Sequence, residues 1–110
     1  MNVSFIERQL KVDEKVYHLP CSIMQVGIRG DNLIVLLDPD VPFMGEVSSN
    51  LICLNFDGHI VWQASYPTNN MADRYYRIAS AEPLVVLSNQ SFDCTLNPKD
   101  GTVVSKLFTK

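Results

Sequence analysis

The chain has 110 residues, enough for one domain with a real core but not for two. A hydrophobic fraction of 46% with 19% charged residues belongs to a folded chain and excludes a disordered one. The net charge of −3 comes without a dense Lys/Arg patch, which argues against a nucleic-acid backbone as the partner and leaves a basic protein partner open.

The opening residues, MNVSFIERQLKVDEK, mix charge with apolar side chains and hold no continuous apolar core of a signal peptide. No stretch approaches the ~20 apolar residues of a membrane-spanning helix, so a cytoplasmic, membrane-free chain is expected. Val3–Val12 reads as a first strand. Asp13-Glu14-Lys15 turns it into a short return through Val16, Tyr17 and Leu19, which ends at Pro20. The expected product is an N-terminal hairpin over residues 1–20.

Ile23–Ile28 is the next apolar run and closes at Arg29-Gly30-Asp31-Asn32. The RGD tripeptide inside that turn is explained by the turn itself. Leu33–Leu37 is apolar without alternation, which predicts a central strand covered on both faces. A proline-rich loop follows from Asp38 to Gly45, too long for a hairpin turn. Leu51–Phe56 and His59–Gln63 flank Asp57-Gly58, which predicts a tight type I′ hairpin. Arg74–Ala79 is expected as a strand, with one helical turn over Met71–Arg77 as its alternative, and Leu84–Leu87 as another continuous apolar strand. Ser91–Leu96 and Thr102–Phe108 close the chain as a hairpin. Its Asn97-Pro98…Asp100-Gly101 loop suits a type I turn with proline second and a left-handed glycine.

The chain repeats itself. Ile28…Leu33-Ile34-Val35-Leu36 corresponds to Ile78…Leu84-Val85-Val86-Leu87, and Leu54-Asn55…Gly58 to Leu96-Asn97…Gly101. The offset of about 43 to 51 residues is near that of four-stranded propeller blades. The fold class expected is all-β: two antiparallel four-stranded units over 23–64 and 74–108, plus the N-terminal hairpin.

The stretch LICLNFDGHIVWQ resembles the x-A-L-D-x-x-T-G-x-x-x-W blade repeat of quinoprotein-type β-propellers, with Asp57-Gly58 in the turn and Trp62 at the tryptophan position. The second copy has Ser105 there instead. The resemblance implies a half-propeller, or two twisted sheets packed face to face, with Trp62 between adjacent sheets. No cofactor is carried over, because a cofactor on the axis requires a complete ring.

Few groups suit catalysis. His18 precedes a turn and His59 follows one, which favours solvated histidines. Cys53 and His59 can be drawn as a pair across the hairpin, but Cys21, Cys53 and Cys94 read as buried reduced thiols, and their spacing fits no zinc site. No metal and no cofactor are expected. Two stretches suit a partner instead. Asp38, Asp40 and Glu46 surround Phe43 and Met44, which would fit a basic groove, or the loop is simply charged with Phe43 tucked over the sheet edge. Asp73, Tyr75 and Tyr76 adjoin Arg74 and Arg77. In a strand one tyrosine ring points in and the other out, so this is either a hot spot or one core and one surface residue.

In overall style, short, acidic and all-β, the chain also resembles the immunity proteins of bacterial contact-dependent growth inhibition. That resemblance implies a non-enzymatic module that neutralises a toxin domain, often a basic nuclease, with Asp38, Asp40, Phe43, Glu46, Asp73, Tyr75 and Tyr76 as the toxin-facing surface. The alternatives are a self-associating scaffold subunit, as a homodimer, and a small hydrolase using His59 and Cys53.

Overall fold

The computed structural model describes residues 2–39, 49–68 and 73–109. Every regular element among them is a β-strand, and the strands form three antiparallel sheets in chain order. The first sheet holds β1 (Val3–Ile6), β2 (Gln9–Val12) and β3 (Lys15–His18). The second holds β4 (Ile23–Arg29), β5 (Asn32–Leu37), β6 (Leu51–Asn55) and β7 (Ile60–Gln63). The third holds β8 (Tyr75–Ala81), β9 (Leu84–Ser88), β10 (Phe92–Leu96) and β11 (Val103–Phe108). Each sheet is a simple meander in which sequence neighbours pair.

The N-terminal hairpin is thus a three-stranded sheet. The stretch Val3–Val12 is broken at Glu7-Arg8, where Ile6 pairs with Gln9 and Glu7 takes φ +53°. Neither residue is a turn former, so nothing in the local chemistry announces the break. Asp13 takes φ +54° in the next turn, as an Asp there readily does.

The three sheets stack as layers around two cores. One core joins Leu10 and Val12 of the first sheet to Leu33, Val35, Leu37, Ile52 and Leu54 of the second. The other joins Ile34, Leu36, Leu51, Cys53 and Trp62 of the second to Tyr75, Ile78, Leu84, Val86, Cys94 and Leu96 of the third. Alternate residues of β5 therefore serve different cores, and this is why five apolar residues run unbroken there. Leu84–Leu87 differs: Val85 and Leu87 are only half-buried, because among the described residues no further layer covers that face of the third sheet.

The second and third sheets share two of their irregularities, while a further bulge at Ala79, between the pairs Ile78–Val86 and Ser80–Val85, belongs to the third alone. A bulge at Met24 follows the pair Ile23–Leu37, and a bulge at Tyr76 follows the pair Tyr75–Ser88. Val61 is extra between the pairs Cys53–Trp62 and Leu54–Ile60, and Val104 is extra between Thr95–Ser105 and Leu96–Val103. The copies differ mainly between their second and third strands, where 38–50 in one stands against 89–91 in the other.

The hairpin at Asp57-Gly58 departs from type I′. Only Gly58 has positive φ, +84°, and its N–H donates to Asn55 O at 3.0 Å. The Asn55 carboxamide oxygen accepts from the Asp57 and His59 amides. That side chain stabilises a type I turn closed by a left-handed glycine, and the strand bulge absorbs the added residue. The second loop follows its expected form: Asp100 N–H points to Asn97 O at 3.4 Å, and Gly101 takes φ +76°.

An aromatic ring from each preceding sheet seats on these two turns. The Trp62 ring covers Gly101 so closely that a Cβ there would collide with it, and Trp62 Nε1 donates to Pro98 O at 2.8 Å. The Tyr17 ring covers Gly58, where a Cβ would lie 2.6 Å from Tyr17 Cδ1, and its hydroxyl donates to Phe56 O at 2.9 Å. Pro98 and Phe56 each follow the turn asparagine, so the two seatings are equivalent. The stack is locked twice by the same device.

Candidate functional site

The third sheet begins with an edge strand, β8, and exposed edges recruit other chains. Here side-chain amides from the second sheet close it. Gln25 Nε2 donates to Ile78 O at 3.0 Å, and Gln25 Oε1 accepts from Ile78 N–H at 2.8 Å. Asn50 repeats the pattern three residues earlier. Its Nδ2 donates to Tyr75 O at 2.6 Å and to Leu37 O at 3.1 Å, while its Oδ1 accepts from Tyr75 N–H at 3.2 Å. Arg29 Nη1 reaches Ala81 O at 3.2 Å. Each carboxamide imitates a strand's donor–acceptor pair, so β4 and β8 are laced together without backbone pairing.

The lacing brings distant parts of the chain to one corner. Asn50 ties Leu37, where the Asp38 loop leaves the sheet, to Tyr75, the residue before Tyr76. Met24 sits between Ile23, which pairs with Leu37, and Gln25, which holds Ile78. Met24 and Tyr76 are the two equivalent bulge residues, and they stay 54% and 49% exposed while their neighbours Ile23 and Tyr75 are buried. A bulge turns its extra residue out of the alternation, and this is how two large apolar groups come to the surface beside a core. Arg77 is exposed next to Tyr76.

The expected partner-facing residues fall into three groups. Tyr76 is exposed and Asp38 is half-buried at the root of its loop. Asp40, Phe43 and Glu46 lie outside the described residues. Asp73 and Tyr75 are fully buried and leave the candidate surface. Asp73 accepts from the Thr68 hydroxyl at 3.1 Å and the Gln90 amide at 3.2 Å, which makes it an internal brace for the start of β8. The Tyr75 ring fills the core between sheets and its hydroxyl donates to Ser65 O at 2.8 Å. Burial, with smaller effects from Cys94 and Asp73, raises the Tyr75 phenol well above its ordinary value. Met24, Gln25 and Asn50 carry no sequence signal: Met24 stands in an apolar run that reads as core, and a bulge has no sequence mark.

The Cys53–His59 pairing fails on geometry. Cys53 is fully buried against the third sheet, whereas His59 is exposed beyond the turn, its backbone occupied by Asn55. Burial pushes the Cys53 thiol up to about 11, so it stays protonated and poorly nucleophilic near neutral pH. Cys94 is likewise pushed up to about 11, by burial first and then by Asp73, with Lys106 opposing. All three cysteines are free and buried. Among the described residues no group of three His, Cys, Asp or Glu side chains could hold a metal ion, and no helix is long and apolar enough to cross a membrane.

A family model described as Domain of unknown function (DUF7957) matches residues 1–108. The chain belongs to the DUF7957 family. No curated protein and no solved structure matches it. On the outer face of the third sheet, the positions equivalent to buried Leu51, Cys53 and Trp62 hold Asp93, Thr95 and Ser105. These polar residues share the outer face with half-buried Val85 and Leu87 and with exposed Leu107.

Proposed function

We propose that this DUF7957 domain is a non-catalytic protein-binding module whose partner seats on the corner formed by Met24, Tyr76 and the root of the Asp38 loop. The observation that carries this reading is the Asn50 carboxamide, which fastens Leu37 and Tyr75 together and so joins an acidic loop to two exposed apolar anchors. Apolar anchors with a charged rim are the usual composition of a binding hot spot. Asp38, with Asp40 and Glu46 in the same loop sequence, points to a basic partner.

In its most specific form the module is an immunity protein that neutralises a cognate toxin domain, a basic nuclease being the chemistry that an acidic surface fits best. The sheets are read as successive propeller-type blades: a shortened first blade followed by two full ones. Trp62 on Gly101 and Tyr17 on Gly58 support that reading, since each blade covers the glycine turn of the next. Asp93, Thr95 and Ser105 interrupt Val85, Leu87 and Leu107 on the outer face of the third sheet, and this mixed face favours a finished stack over a self-associating scaffold less than a wholly polar one would.

The test is a mixture of the purified domain with the C-terminal domain encoded immediately upstream, followed by size-exclusion chromatography and stopped-flow association. A one-to-one complex is expected. Met24→Asp and Tyr76→Ala are expected to speed its dissociation at least tenfold, and Asp38→Lys to slow association and flatten its salt dependence. Identical kinetics in all three variants would remove this corner from the interface.

A further inference from the structure

At the other end of the third sheet lies an edge of a different kind. β11 pairs only with β10, and residues 104–108 are all exposed, with Val104 at 65%, Leu107 at 67% and Phe108 at 57%. Thr109 N–H donates inward to Ser91 O, so by antiparallel alternation Leu107 and Ser105 also face β10. The backbone groups of Lys106 and Phe108 therefore turn outward, and among the described residues nothing occupies them. β8 has the opposite fate, since Gln25, Asn50 and Arg29 claim its edge. An open cleft of about 330 Å³ runs beside the start of β11, lined by Ser65, Thr68 and Thr102 and reaching Lys106.

Charge decides what fits there. Residues 99–110 hold three lysines against one aspartate, net +2, so the rest of the chain carries −5 of the total −3. The Lys106 ammonium rides 5.3 Å from the centre of the Phe92 ring, which packs edge-on to Phe108 at 5.4 Å, and it has no ion pair among the described residues. A second copy would bring another basic β11 to this one, and like charges across a strand pair oppose it. We propose that β11 is a strand-addition site for an extended peptide segment that carries an acidic and an apolar residue two positions apart, on one face of the added strand. The segment adds as a fifth strand through the outward groups of Lys106 and Phe108, with a carboxylate on Lys106 and an apolar side chain against Phe92 and Phe108.

The proposal is independent of the Met24–Tyr76 corner. Its test uses a fluorescein-labelled acetyl-Thr-Val-Thr-Glu-Thr-Val-Thr-amide peptide and its counterpart with Lys in place of Glu, with anisotropy titration and amide hydrogen exchange on the full chain. The acidic peptide is expected to bind at least tenfold more tightly than the basic one, and to slow exchange at Lys106 and Phe108 while leaving Leu107 unchanged. Lys106→Gln is expected to weaken it and reduce its salt dependence. Lys106→Pro, which removes only an outward N–H from the backbone, should abolish binding while thermal unfolding remains cooperative. Absence of binding, equal binding of the two peptides, or a dimer that itself protects Lys106 and Phe108 would overturn the proposal.

Discussion

Trp62 and Gly101 form one unit, and single-residue changes can separate its parts. Gly30 and Gly101 both have positive φ, but a Cβ on Gly30 meets nothing within 4 Å, whereas one on Gly101 meets the Trp62 ring. Both alanine variants incur the left-handed backbone cost of about 1–2 kcal/mol. Only Gly101→Ala adds overpacking of about 1–3 kcal/mol, so urea unfolding should rank it clearly below Gly30→Ala. Tyr17→Phe removes one hydroxyl bond to Phe56 O and should cost about 1 kcal/mol by the same measurement. The buried thiols predict a pH effect. Cys53 and Cys94 hold their protons to about 11 in the folded chain, against an ordinary value near 9. The folded state thus binds protons that the unfolded state releases, so stability is intact below pH 9 and declines as pH rises from about 9 through 11. A Cys53→Ala/Cys94→Ala chain, compared by urea unfolding at pH 8 and pH 10.5, should lose less stability across that interval than the wild type.

The lacing of β4 to β8 is decided between elements, and its cost follows from what each amide leaves behind. Gln25→Ala strands the N–H and C=O of Ile78, at about 1–3 kcal/mol, and Asn50→Ala strands those of Tyr75 and one bond of Leu37 in a fully buried place. Asn50→Ala should therefore be the more destabilising in thermal unfolding, and Gln25→Ala should raise hydrogen exchange at Ile78 selectively. These contacts explain what could not be read in advance. The unbroken Leu33–Leu37 run declares its two covered faces, and Asn97-Pro98…Gly101 declares its loop, because each depends on the residues present. The Glu7-Arg8 turn, the bulges at Met24 and Tyr76, and the roles of Gln25 and Asn50 depend on which strand lies opposite. A polar residue beside an apolar run carries no mark of the backbone it will satisfy.

For the whole molecule, the two repeats and the all-β class were legible because hydrophobic runs and glycine turns recur in order. The candidate surface was legible only in part. Alternation put one of Tyr75 and Tyr76 outside without saying which, and the bulge at Tyr76 decides it; Asp73 looked like a surface acid and is a buried brace, and Met24 looked like core and is exposed. Among the described residues, stacking three sheets leaves two end faces and one laced corner, and the corner holds the exposed anchors Met24 and Tyr76 beside the root of an acidic loop, which makes it the better place for a partner. That assignment is the central claim. The measurement that tests it most directly is the dissociation rate of the proposed one-to-one complex with the domain encoded upstream, the toxin of the proposed function, compared between wild type and the Met24→Asp/Tyr76→Ala double variant at matched stability. At least a hundredfold faster release, with loss of protection from toxicity, is the predicted result. A double variant that binds and protects like the wild type would contradict the account.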